Sequence, residues 1–230
     1  LVRSRGLGDV YKRQVQNEKA TLATIVGDAF ARPMLEALDQ SKKDDAPYDL
    51  SSLKIILSSG VMWSQEIKEG LLSHHDMMLV DAMGSSEGNM GIAIAARGVP
   101  PKTASFQANE DVKVFDDNDQ EVAAGSEKIG MVATPSAMRG YYKDPEKTEK
   151  TVRVIGGTRW VFPGDYAKIE SDGSMTLLGR GSMCINTAGE KVFPEEVEEA
   201  LKSHPQVKDC LVVGVPDEKF GERVVALASC

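Results

Sequence analysis

The chain has 230 residues, 41% hydrophobic and 27% charged, enough for one large domain or two small ones with a sizeable core. A net charge of −8 speaks against a general nucleic-acid binder, and the chain has no unbroken apolar run of the roughly 18 residues that a membrane span needs. Cys184, Cys210 and Cys230 lie far apart, form no CxxC pair and do not cluster with His74, His75 and His204, which argues against zinc and suits a reducing compartment, the cytoplasm.

In chain order, Leu1 to Gln14 (LVRSRGLGDVYKRQ) has no initiator Met and no apolar signal-peptide core, and it does not fit the residues after it. It reads as a non-native, adapter-like segment, with a basic tail as the alternative, and is set apart from the fold. Lys54–Gly60 (KIILSSG) is a short apolar run entering a loop, as a buried strand does. SQEIKEGLLSHH then offers Ser64 as N-cap, Glu66 in the first turn, and Ile67, Leu71 and Leu72 on one face of a helix. MMLVDAMGSSEG repeats the plan: a strand, then a Gly/Ser/Glu loop at its C-terminal end, where ligands bind in open α/β sheets. From about Phe106 the pattern turns to short β pieces: DVKVFDDNDQEV, KIGMVATP, and YAKIESDGSMTLL with its Asp172-Gly173 turn.

After Arg180 come Gly181-Ser182 and Ala188-Gly189-Glu190-Lys191, then FPEEVEEALKSHP, a helix by its own signals. Pro194 suits the first helical position, Glu195 and Glu196 complement the N-terminal dipole, Val197, Ala200 and Leu201 share a face, and Pro205 closes the segment. VKDCLVVGVPD and RVVALAS read as strands. The fold class is therefore α/β for residues 15 to about 105, a β-rich part from about 106 to 180, and the start of a small α+β domain over 181–230. The run stops at Cys230 inside a strand-like stretch, so the chain is expected to be a piece of a longer protein.

Four stretches in order carry a resemblance to the adenylate-forming (AMP-binding) superfamily. DAMGSSEG resembles its Tyr-Gly-hydrophobic-Thr-Glu loop, and RWVFPGDYAKIESDG its Trp…Thr-Gly-Asp segment. LLGRGSMCINTAGEKVFPEEVEEAL resembles its Gly-Arg hinge, and VVGVPDEKFGERVVA its late Gly-Glu segment. Within the superfamily, GDAFARP, SSGVMWS and GEKVFPEEVEEALK are most similar to acyl-CoA synthetases for fatty or other hydrophobic acids. The resemblance implies a partial N-terminal domain and a mobile C-terminal one. The implied ligase consumes a carboxylic acid, ATP with Mg2+, and CoA, and forms an acyl-adenylate before the thioester. Other members, luciferase-like or carrier-loading, and a non-catalytic nucleotide-binding module stand as alternatives. Peripheral membrane contact and oligomeric state stay open.

The same resemblance implies the site. Glu87 holds Mg2+, which at a phosphate site takes one or two carboxylates and fills its shell with phosphate and water. Ser86 donates to the α-phosphate, and Gly84 permits close backbone approach. Read without the resemblance, this loop is as well explained by a helix N-terminus capped by serine. Met83 and Ser85 replace the usual adenine-stacking aromatic and a hydrophobic residue. Asp165 accepts from the ribose hydroxyls, although an aspartate after Pro-Gly is on its own a turn residue. Arg180 adds a second ribose contact, with a surface ion pair as the alternative, and Gly60 lies along the adenine, with a strand-end turn glycine as the alternative. Gly181 and Ser182 form the hinge, and Gly189 faces the CoA channel, with an ordinary turn glycine before a strand as the alternative. Phe30 borders the acyl pocket, with helical core as the alternative. A phosphate loop before Val15 and a catalytic lysine after Cys230 are the family parts this sequence does not contain, so the chain by itself is expected to make no acyl-CoA.

Overall fold

The computed structural model describes residues 14–61, 63–100, 102–135 and 138–229, so the adapter-like stretch before Gln14 and the Cys230 thiol lie outside the described residues. Contacts divide the chain after Asn109 into two units.

The first unit is built on β1 (Leu22–Ile25), α1 (Gly27–Lys43), β2 (Ile55–Ser59), α2 (Gln65–His74), β3 (Met78–Ser85), β4 (Gly88–Ala95) and β5 (Ser105–Ala108). The strands lie in sequence order; β1/β2 and β2/β3 are parallel, as βαβ crossovers require, and β4 and β5 add antiparallel. Ile25, Ala31, Met34, Leu38, Leu53, Ile56, Ile67, Leu71 and Leu79 pack into one core between sheet and helices. Ile67, Leu71 and Leu72 are buried on α2 as its spacing predicts, and Lys68 is buried beside them. Ser64 does precede α2 in extended conformation, but its hydroxyl makes no cap bond. The helix start is tied instead by the Ser64 N–H, which donates to Asp28 Oδ1 at 2.9 Å.

Contrary to the loop expected from the sequence, Gly84 and Ser85 belong to β3, and the element after Glu87 is strand β4 and not a helix. Ser85 pairs with Gly88, so Ser86-Glu87 is a two-residue hairpin tip. The alternating burial of β3 continues through Met83, and the strand therefore runs on to the turn.

The second unit begins with β6 (Lys113–Phe115), β7 (Gly130–Pro135), α3 (Pro145–Thr151), β8 (Val152–Ile155), β9 (Thr158–Val161), β10 (Asp165–Ile169) and β11 (Met175–Arg180). Within it the strands run β11-β10-β7-β9-β8, with β6 on β7. Phe115, Ala133, Trp160 and Phe162 form one buried cluster in it, with Phe115 edge-on to Trp160 at 5.1 Å. A short 3₁₀ turn (Gly181–Met183) leads to β12 (Ile185–Thr187), β13 (Glu190–Val192), α4 (Pro194–Lys202), β14 (Asp209–Asp217) and β15 (Gly221–Ser229). These strands make a sheet in the order β13-β12-β15-β14. The start of α4 at Pro194 and both closing strands fall where the sequence puts them. Ala200, however, is exposed, and Pro194 is the one residue of α4 that is fully covered. No helix among the described residues is long and apolar enough to cross a membrane.

Candidate functional site

In the first unit the three parallel strands end together: Ile25 pairs with Ser58, and Ser59 with Ala82. Val26-Gly27, Gly60 and the Met83–Glu87 hairpin end therefore emerge at the carboxyl edge of the sheet. Ser58, fully buried, fixes the first of these by accepting the Gly27 N–H at 2.9 Å. Gly60 needs its glycine for a φ of +95°; a Cβ there would meet only Val26, at 4.0 Å. Gly84 is different. A Cβ there would make ordinary contacts of 3.4 Å or longer, so packing does not demand the bare backbone that Gly84 presents. Gly84 is exposed, while Met83 is buried on the face of β3 that carries Leu79 and Asp81. Ser85 Oγ accepts the Glu87 N–H at 3.2 Å and pins the hairpin tip that carries Ser86 and Glu87. Among the described residues no three acidic, His or Cys side chains are grouped so that they could hold a metal ion. A cation held at Glu87 would therefore draw most of its shell from phosphate oxygens and water, which is how Mg2+ is usually bound.

Beneath this edge lies a pair that the sequence motifs did not single out. Lys68 of α2 and Asp81 of β3 are buried together, with Nζ 3.0 Å from Oδ2. The same ammonium lies 5.4 Å from the centre of the Trp63 ring and donates to the Lys102 carbonyl at 3.4 Å. Burial pushes the Asp81 carboxyl up from its ordinary value, and Lys68 offsets part of that. The signal was available: Asp81 stands in phase with Leu79 and Met83 on a period of two, and Lys68 follows Ile67 on the apolar face of α2.

In the second unit Asp165 and Arg180 are cross-strand partners at the facing ends of β10 and β11. Arg180 Nε donates to Asp165 Oδ1 at 3.2 Å; the Asp165 side chain is 12% exposed and that of Arg180 57%. A nearly covered carboxylate beneath an open guanidinium offers an acceptor and donors side by side, the chemistry that two vicinal hydroxyls need. Asp165 is thus a strand residue, and the turn before it is made by Gly164, at φ +101°.

Gly181 and Ser182 lie in the 3₁₀ turn directly after β11, and the Gly181 N–H donates to the Gly164 carbonyl at 2.9 Å. Gly189, at φ +87° with nothing within 4 Å of a Cβ position, tips the β12–β13 hairpin, and its neighbour Ala188 also has positive φ, +50°. Glu195, in the first turn of α4, reaches back to β11: a Cβ on Gly179 would lie 2.4 Å from its Oε2. That oxygen is buried without a hydrogen-bond partner, and burial, with Glu198 and Asp165 nearby, pushes the carboxyl upward. Phe30 sits on α1, partly buried against the core of the first unit.

Residues 196–230 match the AMP-binding enzyme C-terminal domain family. The chain is similar to a 3-oxocholest-4-en-26-oate–CoA ligase of Rhodococcus rhodochrous, 48% identical over 94% of this chain and 40% of that protein. It is also similar to a medium/long-chain-fatty-acid–CoA/3-oxocholest-4-en-26-oate–CoA ligase of Mycolicibacterium smegmatis, 44% identical over 93% and 39%. The chain thus spans about 40% of the length of these curated relatives. Among solved structures, an amide bond synthetase from Marinactinospora thermotolerans superposes with a TM-score of 0.78 at 25% identity, over 96% of this chain and 44% of that one. An anthranilate–CoA ligase bound to anthranoyl-AMP shares the fold with a TM-score of 0.77 at 24% identity, over 96% and 41%.

Proposed function

We propose that this chain, which has the sequence and the fold of the adenylate-forming enzymes, serves an ATP-dependent acyl-CoA synthetase acting on a hydrophobic carboxylic acid. In that reaction the acid's carboxylate oxygen attacks the α-phosphorus of ATP and pyrophosphate leaves. The CoA sulfur then attacks the acyl carbon, and AMP departs with the bonding electrons. The observation that carries the reading is the Asp165–Arg180 pair, a sheltered carboxylate and an open guanidinium on adjacent strand ends. Asp165 accepts from the ribose hydroxyls and Arg180 donates beside it. Glu87 holds Mg2+ and Ser86 donates to the α-phosphate, both from the pinned tip of the β3–β4 hairpin. Gly84 and Gly60 leave bare backbone at the carboxyl edge for the nucleotide, beside Met83 and Ser85. Phe30 walls the acyl pocket. Gly181 and Ser182 are the hinge, and Gly189 keeps the CoA path open, since nothing occupies the space where its side chain would be.

The names of the relatives point to medium- or long-chain fatty acids, or a steroid side-chain acid, as the substrate class. A second reading has the acyl group passed to an amine, and the similarity to an amide bond synthetase favours it. The test uses the longest natural protein that carries this sequence, incubated with ATP, Mg2+ and a panel of such acids, with either CoA or primary amines as acceptor. Thioester formation with CoA, AMP appearing in equal amount, is the expected result. Amide formation with no thioester supports the second reading, and nucleotide binding with neither product leaves a non-catalytic module.

A further inference from the structure

We infer that Tyr166 is a positioning residue, the seat on which the β12–β13 hairpin and the start of α4 dock against the strand that carries Asp165. The inference rests on the reading of Gly181-Ser182 as a hinge and Asp165 as the ribose acceptor, and it adds what holds the segment beyond that hinge in place.

Three contacts converge on the ring. Phe193, fully buried at the entrance to α4, packs on it with centroids 5.6 Å apart. Lys191 Nζ lies 5.0 Å from the ring centre and 3.9 Å from Asp117 Oδ2. A Cβ on Gly181 would fall 2.5 Å from the ring's Cε2. Gly181 is not among the glycines of positive φ, so its backbone would accept a side chain; the Tyr166 ring is what excludes one. Glycine at this joint is therefore explained by close packing on tyrosine, beyond any need for a flexible residue.

The strand geometry links this seat to the candidate site. Tyr166 pairs with Gly179, and the β10–β11 register slips between Tyr166 and Ala167. A slip of this kind re-aims side chains, here at the residue next to the Asp165 carboxylate. The neighbouring Gly179 in turn leaves room for Glu195, so residues flanking the joint on both sides meet in a two-point contact. For the segment after Arg180 to turn, Phe193 and Lys191 must leave the ring. An aromatic pair and a cation over a ring together resist that separation by an amount well within reach of thermal opening.

Hydrogen exchange on the intact 230-residue chain tests the proposal, with AMP titration on the same samples. Tyr166→Ala should speed exchange across β12, β13 and the first turn of α4 by about tenfold, leave β6 and β7 unchanged, and weaken AMP binding about threefold or more. Tyr166→Phe keeps the ring and should match the parent in both readouts. Gly181→Ala, which leaves the ring intact but adds a methyl against it, should speed the same segment. Unchanged exchange in Tyr166→Ala, an equal speed-up in Tyr166→Phe, or a uniform rise that includes β6 and β7 would overturn the proposal. Absence of AMP binding in the parent chain counts against the proposed function, while the exchange pattern still decides the seat.

Discussion

Asp165 and Arg180 face each other across β10 and β11, and their burial differs in the sense the proposed roles need: the carboxylate is sheltered and the guanidinium open. Asp165→Ala should therefore weaken AMP binding by roughly 1.5–3 kcal/mol, the usual range for a hydrogen bond to a charged group, as read by calorimetric titration. In the longer protein, Glu87→Gln should leave the fold unchanged, because the residue sits on a hairpin tip, while Mg2+-dependent pyrophosphate release falls; unchanged release would count against the proposed metal role of Glu87. Glu195 gives a pH prediction. Burial raises its carboxyl above the ordinary 4.5, so the folded protein is penalised once pH climbs through that interval and not below it. Glu195→Gln should thus be more stable than the parent near neutrality and lose that advantage below about pH 4.5 in urea titrations. Asp165, Arg180 and Glu87 stand out by their motifs in the sequence, and their roles are proposals. Tyr166 and Glu195 do not stand out, because their importance lies in contacts across 15 to 27 positions, such as Tyr166 with Phe193, that no local pattern announces.

At the scale of elements, α2 and β3 are joined by the buried Lys68–Asp81 pair. Lys68→Met should cost about 3–5 kcal/mol, because it strands a carboxylate in a covered site, and Lys68→Met with Asp81→Leu should recover most of that loss. The single variant should be less impaired in acid, where Asp81 can take up a proton. If the single and double variants unfold at the same denaturant concentration, the pair is not what joins these elements. Gly189→Leu concerns the β12–β13 hairpin. Nothing fills the space beside Gly189, but its φ of +87° makes a leucine strained, so the variant tests both backbone and channel. With the proposed roles, in the longer protein pyrophosphate release should survive and thioester output should fall; an equal fall in both half-reactions would make Gly189 a folding residue. Strands β2 and β3 could be read from short apolar runs that lead into Gly/Ser stretches, and α2 and α4 from their spacing and start signals, while β1 went unread. The helix α3 went unread: it buries no residue, and its signal is the Asp144 cap accepting from Lys147, followed by Pro145. The loop expected at Gly84-Ser85 failed because glycine and serine suggest a turn locally, while pairing to Asn89 and Gly88 holds both in a strand.

For the whole molecule, composition and order of elements gave the mixed α/β class, and solved structures of adenylate-forming enzymes share the fold over 96% of the chain. Residues 110–230 form one unit by contact, in which Glu195 and Phe193 reach β11 and β10, a packing arrangement that hydrophobic period alone could not specify. With the role proposed for Asp165, this chain would hold an adenosine monophosphate group through its ribose. The direct measurement is a calorimetric titration of the 230-residue chain with AMP and with 2′,3′-dideoxy-AMP, repeated on Asp165→Ala. AMP should bind, the dideoxy analogue should bind at least about tenfold more weakly, and Asp165→Ala should erase the difference. Equal affinity for the two nucleotides, or a preference that survives in Asp165→Ala, would contradict that role.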